Sequence, residues 1–145
     1  TLFPYTTLFR FSTNDSSLLI TQTTFTGNGF HLLIANSSSV KAEKTVFTSE
    51  SNTASIKVDE MSEFITSQSE FREVPISSRG RVQLIDSILS QNAVTPLVQS
   101  QGSFKASKCK FSGAHAPLLM FGDKCSPILT LNEFPSARDR WIVRF

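Results

Sequence analysis

One eight-residue phrase returns six times along this chain. It reads apolar, any, apolar, two polar-leaning residues, Thr or Ser, any, and Phe. It ends at Phe25, Phe47, Phe71, Leu89, Phe111 and Phe134, at spacings of 22, 24, 18, 22 and 23 residues. A repeat of about 22 residues calls for stacked supersecondary units, each burying its apolar side against the next. The repeat constrains architecture strongly and chemistry weakly.

Set the terminal Phe of each phrase at zero. Seven positions earlier stand Leu18, Val40, Phe64, Val82, Phe104 and Pro127, and five earlier Ile20, Ala42, Thr66, Leu84, Ala106 and Leu129. Two earlier stand Thr23, Thr45, Ser69, Ser87, Cys109 and Asn132. Alternation with period two marks a half-buried strand. Columns −7 and −5 share a face, and so do columns −2 and zero. The step from −5 to −2 is odd, so parity slips once, and a corner must fall between two short strands. The hydroxyl column at −2 can run as a hydrogen-bond ladder along the stack, provided each buried group finds a partner.

A third apolar patch follows each polar turn, as Leu32-Leu33-Ile34, Ile56 with Val58, Leu97-Val98, Leu118 to Phe121, and Trp141-Ile142-Val143. Three short strands per repeat describe an all-β fold, a three-sided parallel β-solenoid of about six coils of roughly 22 residues. Helical solenoids need longer periods and 3.6-residue patterning, and leucine-rich repeats need a Leu and Asn framework that is missing here. Phe supplies 13 of the aromatic residues against one Trp and one Tyr. One Phe per coil in one column stacks at about the 4.8 Å strand spacing.

This coil pattern, with Phe and small hydroxyl residues inside, resembles the right-handed parallel β-helix of the pectate-lyase-like superfamily over Leu18 to Phe134. The resemblance implies the fold. It also implies carbohydrate or a cell-surface component as partner, since that superfamily includes polysaccharide lyases, glycoside hydrolases, adhesins and large repetitive surface proteins.

The ends are read separately. Thr1–Arg10, TLFPYTTLFR, closely resembles translated sequencing-adapter read-through, which makes residues 1–10 a non-native segment and residues 11–145 the coils, truncated at both ends. Phe3 nevertheless falls in register with Phe25, and Thr1 falls in the hydroxyl column. A solenoid otherwise needs capping units, and none is legible at either end.

The side chains that carry chemistry are scattered. Asp59, Glu60, Asp86 and Asp123 are the solvent-facing acids. Counting back from Phe puts Asn36, Glu60, Ser78, Ser100 and Asp123 in one column, with three coils between Glu60 and Asp123. Catalytic carboxylates must lie roughly 5–10 Å apart. Asp86 shares its column with Gln68 and Lys108, and Lys108 reads as its surface ion partner. Arg79 and Arg81 flank Gly80 without the acids a calcium-assisted lyase requires. His31 and His115 read as surface turn histidines. Cys109 occupies the inward hydroxyl column and Cys125 a turn; free thiols are the favoured reading, and a bridge closing a loop of 16 residues is the alternative. Asn14-Asp15-Ser16 and Asn36-Ser37-Ser38 match the N-glycosylation pattern.

A net charge of +2, not interleaved with aromatics, argues against nucleic acid. No run approaches the roughly 18 apolar residues of a membrane-spanning helix. The sequence thus assigns no catalytic, cofactor-binding or metal residue. The expectation is a non-catalytic segment of a large cell-surface or secreted repeat protein, extracellular, with an adhesive, spacer or receptor-like role and neighbouring coils as partners. The alternative is a fragment of a polysaccharide lyase or glycoside hydrolase whose active site lies elsewhere.

Overall fold

The computed structural model describes residues 2–3, 9–11, 16–27, 29–50, 54–115, 117–136 and 140–145. Every strand pairing among them is parallel, and the strands fall into three sheets. The first face holds β3 (Ser17–Thr21), β6 (Ser39–Glu43), β9 (Glu63–Ser67), β12 (Arg81–Ile85), β15 (Ser103–Ser107) and β18 (Ile128–Thr130). The second holds β1 (Leu2–Phe3), β4 (Thr24–Phe25), β7 (Val46–Thr48), β10 (Glu70–Arg72), β13 (Ile88–Gln91) and β16 (Lys110–Gly113). The third holds β2 (Phe9–Phe11), β5 (Gly29–Ile34), β8 (Ala54–Val58), β11 (Ile76–Ser78), β14 (Val98–Ser100), β17 (Leu119–Phe121) and β19 (Ile142–Arg144). The fold is the expected three-sided β-solenoid. It makes about five turns rather than six coils, because six repeats of a phrase bound five complete turns.

The corner demanded by the parity slip is a single residue. Column −3 holds Gln22, Lys44, Gln68, Asp86, Lys108 and Leu131, all left-handed with φ between 46° and 55°. Such a conformation costs a non-glycine residue about 1–2 kcal/mol. Hydrogen bonds on both sides of the corner offset that cost. The corner N–H donates to the −4 carbonyl of the next coil, as in Gln22 to Glu43, Lys44 to Ser67 and Gln68 to Ile85, each at 3.0 Å. The −2 hydroxyl then reaches back around the bend to its own −4 carbonyl, from Thr23, Thr45, Ser69 and Ser87 at 2.8–3.0 Å. It also accepts from the coil before, with Thr45 N–H donating to Ser69 Oγ and Ser69 N–H to Ser87 Oγ, each at 3.2 Å. Asn132 continues the ladder, accepting from Cys109 N–H at 2.8 Å and donating to Ala106 O at 3.0 Å. The axial ladder expected from the sequence is therefore present, and it also braces the corner.

Inside, Phe47 stacks 4.9 Å from Phe25 and 4.8 Å from Phe71, with ring planes within 10°. Leu89 takes the next place in register, then Phe111, which stacks 5.2 Å from Phe134. Phe64 meets Phe47 and Phe71 edge-on from the first face. Each fully buried ring contributes about 1.5–3 kcal/mol by area.

The coil lengths vary only outside the phrase. Five residues separate Val58 from Phe64, but three separate Ser78 from Val82 and Ser100 from Phe104. Both short corners carry glycine. A Cβ on Gly80 would collide with the carbonyl oxygens of Ser62 and Asp59, and one on Gly102 with those of Gly80 and Arg79. Between the second and third faces, Phe71 and Ile76 are also close. Pro75 and this short link concealed β11 from the sequence reading, which found no third patch in that coil.

At the beginning of the chain, Leu2 and Phe3 pair with Thr24 and Phe25, and Phe9 to Phe11 pair with Leu32 to Ile34. These two strands follow the register of the coils that succeed them. The remainder of residues 1–8 and the Asn14 acceptor lie outside the described residues.

Candidate binding groove

Outward-facing residues of the third face line a hollow. Register places Leu33, Lys57, Ser77 and Gln99 in one outward row across four consecutive strands. The ladder continues past the strand ends, with Asp59 N–H donating to Ile34 O, Arg79 N–H to Val58 O and Gln101 N–H to Ser78 O at 2.8–2.9 Å. It sets a second row of Ala35, Asp59, Arg79 and Gln101. Together the rows line a hollow of about 510 Å³.

A longer corner walls this hollow. The chain leaves β8 through Asp59-Glu60-Met61, and Ser62 N–H closes that turn onto Asp59 O at 3.1 Å. The next two coils take the short glycine corner. The turn therefore stands between the first hollow and a second one of about 540 Å³. Asp59 lines the first, Glu60 the second, and Arg79 both. The consecutive acids thus serve different surfaces.

The charges differ in how they are held. Ion pairs among the described residues join Lys41 to Glu43, Arg72 to Glu70 and Arg81 to Glu63. The Glu70 carboxylate, hydrogen-bonded to Arg72, pushes the guanidinium pKa up. Lys57 and Arg79 have no such partner among the described residues. They present a free ammonium and a free guanidinium to the same hollow, beside the amides of Gln99 and Gln101. A guanidinium in this state offers a planar fork to a carboxylate or sulfate, and an ammonium offers a point charge.

The other residues named from the sequence are dispersed. Asp86 is a corner residue on another edge, near Lys44 and Gln68 in a hollow of about 380 Å³. The expected Asp86–Lys108 ion pair is absent from the described ion pairs, because adjacent left-handed corners turn both side chains into solvent. Of the proposed column of Asn36, Glu60, Ser78, Ser100 and Asp123, Ser78 and Ser100 do pair in register, but neither lines up with Glu60 or Asp123. Ser78 pairs with Val58 and is buried with Ser100, while Asn36, Glu60 and Asp123 lie in exposed turns. Counting back from Phe fails there because the intervening corner changes length. Aligning Ile56, Ile76 and Val98 instead brings Lys57, Asp59, Arg79 and Gln101 into view.

His115 is exposed, as expected. His31 is not a surface histidine. It is fully buried beside the stacked Phe25 and Phe47, with ring centroids 5.9 and 6.3 Å away. The register shift between Phe30 and Leu32 turns its side chain inward. Cys109 and Cys125 are both buried free thiols. Burial pushes both thiol pKa values up. Backbone hydrogen bonds at Ser87 and Ser107 oppose this for Cys109, and Ser100 and Arg144 oppose it for Cys125. Among the described residues, no three His, Cys, Asp or Glu side chains come together as a metal site, and no helix is long and apolar enough to cross a membrane.

No protein-family profile, curated protein or solved structure matches this chain.

Proposed function

We propose that this chain is a non-catalytic β-solenoid segment of a large cell-surface or secreted repeat protein, and that its third face holds an extended, hydroxyl-rich chain such as a glycan. The observation that carries this reading is that Lys57 and Arg79, without an ion-pair partner among the described residues, share one hollow with Gln99 and Gln101. Strands repeat at about 4.8 Å. An extended polymer running along the axis meets Lys57, then Arg79, then the amides of Gln99 and Gln101 on three successive coils. Amides and cations bind hydroxyl and acidic groups without performing chemistry on them. The pectate-lyase-like pattern of the coils makes carbohydrate the favoured polymer.

Adhesion, spacing or reception would follow from the same design, because a solenoid carries one binding surface along a rigid axis. One observation favours the second reading, a fragment of a polysaccharide lyase or hydrolase. Asp59 lies one strand from Arg79 in the same hollow, so an acid and a basic side chain are neighbours there.

A glycan-binding screen against neutral, uronate-bearing and sulfated polymers tests the proposal, with turnover followed in parallel. The expected result is retention of an acidic polymer, weakened at least about ten-fold in Lys57→Ala/Arg79→Ala with an unchanged melting temperature, one decade being about 1.4 kcal/mol. Turnover that disappears in Asp59→Asn would replace binding with catalysis.

A further inference from the structure

We infer that His31 is an acid-sensitive latch that holds the first coils onto the rest of the solenoid. The residue lies at the one register shift recorded in the third sheet, where Phe30 pairs with Ser55 and Leu32 with Ile56, and His31 opposes neither. A bulge of this kind re-aims one side chain without ending the pairing. Here it directs an imidazole into the core of the solenoid, beside the stacked Phe25 and Phe47 rings.

The hydrogen bonding of the ring fixes its protonation state. Nε2 lies 2.9 Å from the carbonyl oxygen of Thr48. A carbonyl only accepts, so Nε2 carries the hydrogen and donates. Nδ1 then carries the lone pair, and it is buried without a partner. The neutral ring satisfies Thr48 at the cost of one unpaired acceptor. A protonated ring would add a second N–H with no acceptor and a positive charge against Phe25 and Phe47. Burying an unpaired charge is costly, and the chain relieves it by opening.

Among the described residues, the strands around the ring supply no compensating acid. β4 contributes Thr24 and Phe25, and β7 contributes Val46, Phe47 and Thr48. The one titratable group of β8 is Lys57, which faces outward. In β2, Arg10 pairs in register with Leu33. Both are cations and neither favours a protonated imidazole. Glu50, beyond β7, is exposed.

The direction of the pH effect follows. Burial lowers the His31 pKa from its usual 6.5, and the Thr48 bond opposes this in part. The unfolded or opened state therefore binds the proton more readily. Stability from the neutral ring is complete above the unfolded pKa and is lost as pH falls from there through the folded pKa. The coils affected are those His31 joins, β4 and β5 with β7, while β11 to β17 contain no equivalent residue.

Hydrogen exchange of the whole chain at pH 7.5 and pH 5, corrected for intrinsic exchange, tests the latch. Protection over residues 17–34 should be lost measurably at the lower pH, the direction that a lowered His31 pKa dictates, while residues 76–121 stay unchanged. His31→Gln, neutral at both values and able to donate to Thr48, should remove the difference, and His31→Leu should remove it too. Equal protection of the wild type at both values overturns the inference. So does a pH-dependent loss that survives in both variants. Should one variant fold poorly, the imidazole proton signal of the wild type, followed by pH titration, still decides. A ring that titrates at its ordinary value without any opening of residues 17–34 refutes the latch.

Discussion

Two corners of the same coil behave in opposite ways. The corner from the first to the second face is one left-handed residue in every repeat, from Gln22 to Leu131, and it never changes length. The corner from the third to the first face has either five residues or three, and it adapts by substituting glycine for serine at the bend. The fixed corner lies between two inward columns whose parity must be kept, and its polar groups are bonded on both sides. The variable corner has only to return the chain to the first face, so it tolerates length changes, and those changes wall the groove. Regularity sits where packing is shared between coils, and variety sits where a surface is being shaped.

The largest effect should come from breaking the fixed corner. One residue inserted between Ser67 and Gln68 reverses the parity of the strand that follows and turns Phe71 toward solvent. The loss of a ring stacked 4.8 Å from Phe47 should cost about 3–5 kcal/mol. Two residues inserted between Arg79 and Gly80 should cost only about 0.6 kcal/mol, the scale of lengthening a surface loop. Urea unfolding followed by circular dichroism compares the two. Equal losses would mean that the corners do not differ in the way argued here.

The variable corner still has a hard limit where it is short. Gly102→Ala places a Cβ against the carbonyl oxygens of Gly80 and Arg79, which are backbone atoms and cannot swing aside. A loss of about 1–3 kcal/mol is expected. The same change combined with a two-residue insertion at that corner should recover most of it. Failure to recover would show that close approach between coils, not corner length, sets the requirement.

How much of this was legible in the sequence follows the same division. The phrase gave both inward strands, the corner between them and the axial Phe stack, because its length is constant and counting residues is enough. The hydroxyl ladder was legible too, since small polar residues in a buried column need partners. The third face was less legible. Val74-Pro75-Ile76 lies too soon after Phe71 to be noticed, and the shared column of Glu60 and Asp123 dissolved at a corner of changing length. The groove fell in the blind region, because Lys57 and Arg79 become neighbours only once Ile56 and Ile76 are paired. His31 was misplaced for another reason. A bulge reverses the side on which one residue points, and no alternation rule announces a bulge after Gly-Asn-Gly.

A smaller effect sharpens the role of the ladder. Ser69→Ala removes the hydroxyl that accepts from Thr45 N–H at 3.2 Å and donates to Ser67 O at 3.0 Å. Thr45 N–H is then left buried and unpaired, at a cost of about 1–3 kcal/mol, and Ser69→Thr should restore it. The loss should appear as faster hydrogen exchange at Thr45 before any global change. An unaltered Thr45 amide would show that water replaces the hydroxyl.

The smallest effect should be a gain, and it comes from the last fixed corner. Leu131 adopts φ 55° with its side chain 76% exposed. It therefore bears the steric cost of the left-handed conformation and contributes almost no burial. Asparagine adopts this conformation more readily, since its short polar side chain bonds locally. Leu131→Asn should stabilise the chain by about 0.5–1 kcal/mol, a shift on the order of 1–4 °C in melting temperature for a domain of this size. Lys44→Asn supplies the internal control, because Lys44 has the same conformation at φ 51° but lies between paired coils. If conformation alone decides, both substitutions should stabilise. A gain at Leu131 and none at Lys44 would show that hydrogen bonding from both sides had already relieved the strain at the inner corner. That outcome would explain how lysine, glutamine and aspartate are all accepted at one left-handed position. A loss at both positions would mean that the side chains at the corner contribute more than their conformation costs, and the fixed corner would then owe its regularity to packing rather than to the backbone.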